Sequence, residues 1–74
     1  MMMQMEPHSI QALLMTVGIP SRVQLDEWAL LLIVVDSAHF TQQRAWVEAR
    51  FCAICQDGNQ TYLRARLPNY EIYQ

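Results

Sequence analysis

The stretch Trp28-Ala29-Leu30-Leu31-Leu32-Ile33-Val34-Val35 decides how this chain folds. Polar residues close it on both sides, Asp26 and Glu27 before it, Asp36 and Ser37 after it. A run that is apolar all round has no solvent face and has to be covered on every side. In a chain of 74 residues this places the run at the centre of the core. Trp28 is then a large buried group whose removal unfolds the domain.

Two conformations suit the run. Ser21-Arg22-Val23-Gln24 has the S-x-x-Q form of a capping box, and Val23, Leu25, Trp28, Leu32 and Val35 keep a helical register. These signals predict a helix from near Arg22 through the run. The rival is a buried strand over Leu30 to Val35, and length and capping favour the helix.

Outward from the run, Met1 to Met5 reads as a disordered start. Pro7, followed by Ile10, Leu13, Leu14 and Val17 at helical spacing, predicts a helix over 7–17. Gly18, Ile19 and Pro20 form its stop. Downstream, Asp36 to Thr41 reads as a connector offering Ser37 and Thr41 as helix caps. Val47, Phe51, Ile54 and Cys55 then make a stripe that predicts a third helix over 41–56, with Arg44 and Glu48 as an ion pair one turn apart. A long strand is the rival there, because Ala45, Val47, Ala49, Phe51, Ala53 and Cys55 alternate. Asp57-Gly58-Asn59 marks a turn. Thr61, Leu63, Ala65 and Leu67 then alternate as a strand, and Tyr70 to Tyr73 reads as a second strand pairing back after Pro68-Asn69. The expected architecture is mainly α, a three-helix core with a short C-terminal β-ribbon over 57–74. An all-α bundle of three or four helices is the alternative. The whole chain, 1–74, reads as one small domain.

Composition narrows the function. Chains of this size bury only roughly 60% of their unfolded surface, yet 53% of the residues are hydrophobic. Some of that surface is expected at an interface, with a partner or in a homodimer. Only 16% of residues are charged and the net charge is −2, which argues against disorder and against generic nucleic-acid binding. The five basic residues are all arginines, at 22, 44, 50, 64 and 66. The first positive charge is Arg22, and the longest apolar run falls well short of the roughly 20 residues that cross a bilayer. A cytoplasmic protein with reduced cysteines is expected, with no membrane contact.

Phe51-Cys52-Ala53-Ile54-Cys55-Gln56-Asp57 resembles the opening of a RING finger. The resemblance ends there, since no Cys or His follows Cys55, and nothing is carried over from that family. A zinc-stapled domain using Cys52, Cys55, His8 and His39 is one alternative, although the histidines lack ligand spacing. A redox dithiol is disfavoured because both cysteines fall at the C-terminal end of the predicted helix. They read instead as small core residues on one helical face. Asp36, Ser37 and His39 are neighbours in sequence without a catalytic frame, His39 reading as a connector residue that caps a helix end. No nucleophile elbow, phosphate loop or metalloprotease motif occurs. The chain is therefore read as a non-enzyme without a cofactor or metal.

The candidate binding residues are Tyr62, Arg64, Arg66, Tyr70 and Tyr73, because tyrosine and arginine join large contact area to a polar end. Alternation puts Tyr62, Arg64 and Arg66 on one strand face. An exposed edge here could also pair with a partner's strand, and Arg64→Ala with Arg66→Ala is expected to leave the melting temperature within a few degrees yet weaken partner binding about tenfold or more. The function expected is a non-catalytic protein–protein interaction module: a small inhibitor or adaptor, of the kind phages and mobile elements carry, docking on a larger host protein or complex. A nucleic-acid-binding regulator using the arginine–tyrosine face is the other alternative.

Overall fold

The computed structural model of the chain describes residues 6–66. They form an α+β fold, not a helical bundle. The elements in order are α1 (Pro7–Met15), β1 (Ser21–Leu25), β2 (Leu31–Asp36), α2 (Ser37–Gln42), α3 (Arg44–Arg50), β3 (Phe51–Asp57) and β4 (Gln60–Ala65). The strands make one antiparallel sheet in the order β1-β2-β4-β3. The expected pairing partner of β4, Tyr70 to Tyr73, lies outside the described residues.

The first helix matches its sequence signals. Pro7 opens it, and Ile10 and Leu14 are its buried positions. Gly18 takes φ +78, and the Ile19 N–H reaches back to the Leu14 carbonyl at 3.0 Å, closing the helix end with Ile19 buried behind it.

The second predicted helix is a β-hairpin. Asp26 accepts hydrogen bonds at one carboxylate oxygen from the N–H groups of Trp28 (2.7 Å) and Leu30 (3.0 Å). Such a side chain offers the backbone a local alternative to helix. The Ala29 N–H bonds to the Asp26 carbonyl at 3.0 Å, and the Asp26 N–H to the Leu30 carbonyl at 2.9 Å. Ala29 sits between them at φ 62, the left-handed position of a three-residue hairpin loop. This position strains a residue bearing a Cβ. The pair Leu25–Leu31 then starts a ladder that ends at Ser21–Val35. On β2, Ile33 and Val35 pack into the helix-covered core while Val34 is buried on the opposite face, and this β-branched end suits a pleated surface. Trp28 lies on the loop, 73% exposed, so it is not the centre of the core.

The third predicted helix is three elements. Asp36, not Ser37 or Thr41, caps α2 by accepting from the Ala38 N–H at 2.8 Å; His39 lies inside α2 rather than in a connector. The helix breaks at Gln43 (φ −119, ψ 33), and α3 resumes with the Arg44–Glu48 pair at 3.2 Å. At Phe51 the chain turns extended (φ −135, ψ 155) and becomes β3. The turn at Asp57-Gly58-Asn59 and the strand after it stand where the sequence puts them.

All three helices cover one face of the sheet. Ile10 and Leu14 of α1, Phe40 of α2 and Val47 of α3 pack with Ile19, Ile33, Val35, Phe51 and Leu63. Thr61 is the buried polar residue of this layer, its hydroxyl 2.7 Å from that of Ser37. Ser37→Ala should strand that hydroxyl and cost about 1–3 kcal/mol, whereas Ser37→Ala with Thr61→Val should recover most of the loss in thermal melts. Equal melts for the single and double variants would show that the pair is unimportant. No helix among the described residues is long and apolar enough to cross a membrane.

Candidate functional site

The opposite face of the sheet carries no described helix. Strand alternation and register set its side chains in rows. Arg22 stands across from Val34, Val34 from Tyr62, and Tyr62 from Cys55. Gln24 pairs with Leu32, and Cys52 with Arg64. Val34 is buried on this face although none of the described helices covers it. The register of β3 slips between Ala53 and Cys55. That bulge brings Ile54 beside Cys55 in the wall of a depression of about 460 Å³. Trp28, Leu32 and Tyr62 form the rest of its apolar lining, and the charged side chains of Asp26, Glu27, Asp57 and Arg64 surround it. A smaller, more polar depression of about 360 Å³ includes Arg22, Asp36 and Gln60 in its lining.

Arg64 holds the loop that carries Trp28. Its guanidinium donates to the Leu31 carbonyl at 3.0 Å and to the second carboxylate oxygen of Asp26 at 2.7 Å. The Leu30 N–H, opposed by partial shielding from water and joined by Arg64 and the Trp28 N–H, lowers the Asp26 pKa from its ordinary 3.8. A carboxyl whose folded pKa is depressed stabilises the fold above its unfolded pKa. That contribution is lost as pH falls through the lower folded value. Melting temperature should therefore drop more steeply below pH 3.8 in the wild type than in Asp26→Asn; parallel profiles would show that the carboxylate does not pin the loop. At neutral pH, Arg64→Ala should lower the melting temperature by about 5–10 °C.

Tyr62 and Arg64 share the open face, as the alternation predicts, but they sit on an interior strand. The edges of the sheet are β1 and β3, so the edge-pairing expected of this segment does not apply to β4. Arg66 lies just beyond β4, and its guanidinium donates to the Glu48 carbonyl at 2.7 Å. Both arginines thus tie β4 and the residue after it to neighbouring protein oxygens. Tyr70 and Tyr73 lie outside the described residues. Cys52 and Cys55 are exposed free thiols on β3, not core residues on a helix. Among the described residues, no group of three or more His, Cys, Asp and Glu side chains is placed to hold a metal ion. Asp26, Glu27, Trp28, Leu32, Ile54, Cys55 and Asp57 also line the depression and are not among the candidate binding residues read from the sequence. The one available signal was Asp26, a turn-former directly ahead of an acid and a large aromatic. No protein-family model, curated protein or solved structure matches the chain.

Proposed function

We propose that this chain is a non-catalytic, intracellular protein-docking module that binds a larger protein through the sheet face opposite its described helices, with Trp28 as the anchor. The observation that carries this reading is an indole 73% exposed beside an apolar depression, on a loop fixed by Asp26 and Arg64. Exposed tryptophans held rigidly at the rim of an apolar hollow are the residues that dominate interface energies. The other tryptophan, Trp46, packs against the core under the Arg50 guanidinium, 4.3 Å from its ring centre. The nucleic-acid alternative is weaker, because Arg64 and Arg66 are tied to protein oxygens and acids surround the depression.

The test uses tagged protein to capture partners from extract of the cells that make it. Trp28→Ala and Ile54→Ser should each reduce recovery of the captured protein about tenfold or more, with melting temperatures within a few degrees of wild type. Met15→Ser, at an exposed apolar position on α1, should capture normally. If Trp28→Ala captures as well as wild type, the docking surface is elsewhere.

A further inference from the structure

We infer that the segment seated in the depression is cationic, an extended apolar peptide whose arginine or lysine head lies among Trp28, Glu27 and Asp57. The inference rests on the docking reading above and adds the partner's chemistry. Among the described residues, the charged groups facing the depression are Asp26 and Glu27 from the β1–β2 loop, Asp57 from the end of β3, and Arg64 from β4. Arg64 and Asp26 neutralise one another at 2.7 Å. The guanidinium also has the Leu31 carbonyl, and the other oxygen of Asp26 is occupied by two backbone N–H groups. Of the three carboxylates this leaves two, Glu27 and Asp57, unmatched.

Neither of those two acids has an ion-pair partner among the described residues. Arg22, the cation of the same sheet face outside this depression, lines the other one. An anionic guest would face two uncompensated carboxylates, and like charges brought together on docking disfavour a partner strongly. A cationic guest meets those carboxylates together with the face of an exposed indole, which attracts ammonium and guanidinium groups. Its apolar residues would meet Leu32 and Ile54, so the surface selects an amphipathic basic segment, not a free cation.

The probes are three acetylated, amidated pentapeptides of alternating leucine and variable residues. The variable positions hold arginine, glutamine or glutamate. Each is titrated into the full chain, and the indole N–H resonance of Trp28, assigned with Trp28→Phe, reports occupancy. The arginine peptide should shift that resonance and bind about tenfold or more tighter than the glutamate peptide at low salt. The preference should shrink to about threefold or less in Glu27→Gln with Asp57→Asn, and likewise at high salt. Equal binding of the three peptides would overturn the cationic partner while leaving the docking face standing. A preference that survives in the double variant would overturn it as well. Should none of the peptides move the Trp28 resonance, the docking reading falls together with this one.

Discussion

Phe51→Ala should abolish cooperative folding near room temperature, while Trp28→Ala leaves the melt almost unchanged. Phe51 is essentially fully buried, at the point where α3 gives way to β3. It pairs with Ala65 across the ladder and belongs to the cluster that joins all three helices to the sheet. Truncating a buried phenylalanine costs about 3–5 kcal/mol. A single core in a chain this short supplies no more than about 3–5 kcal/mol, so the loss consumes the whole margin. Trp28 has more surface to lose but leaves most of it in water already. Circular dichroism melts of the two variants decide the matter. A cooperative wild-type-like transition for Phe51→Ala, or a collapse for Trp28→Ala, would show that the covered and open faces have been exchanged.

The contrast between these two aromatics shows what the sequence could and could not say. Apolarity on every side of Trp28 to Val35 is common to a buried helix and an interior strand, and periodicity cannot separate them. The stripe Val23, Leu25, Trp28, Leu32, Val35 matches a helix by coincidence, because the chain reverses inside it. The reversal has neither Gly nor Pro to announce it: Ala29 takes the left-handed position that glycine usually holds. Residues 41–56 failed differently. A helix stripe and a strand alternation coexist there because both are present, joined at Phe51. Where local chemistry was strong, the reading held: Pro7 and Gly18 bound the first helix region, and Asp57 to Asn59 makes the turn. The candidate site was legible only through β4, whose alternation set Tyr62 and Arg64 on the open side. Trp28 is not legible as a site residue because the apolar run that it opens reads as interior. Ile54 reaches the site through a bulge that no sequence pattern marks.

The same β4 alternation supports a second large effect, at Leu63. This side chain is fully buried, on an interior strand, with Ile33 across one ladder and Ala53 across the other. Leu63→Ala removes a branched group from a place where the surroundings have little freedom to collapse. The neighbouring backbones are fixed by hydrogen bonds on both sides, so the lost contacts become a cavity instead of being repacked. Leucine truncations cost about 2–5 kcal/mol, and poorly relaxing sites fall toward the upper end. Leu63→Met, which keeps most of the volume, should cost less than about 1.5 kcal/mol. Urea denaturation gives the comparison directly: Leu63→Met should keep a transition with the wild-type slope, whereas the Leu63→Ala midpoint should fall close to zero urea. A loss below about 1 kcal/mol would mean that the helices close over the gap, and that the layer between helices and sheet is softer than its burial implies. The variant also bears on function, because Leu63 lies on the far side of the sheet from Trp28. At temperatures where Leu63→Ala is still folded, its open face should bind as the wild type does.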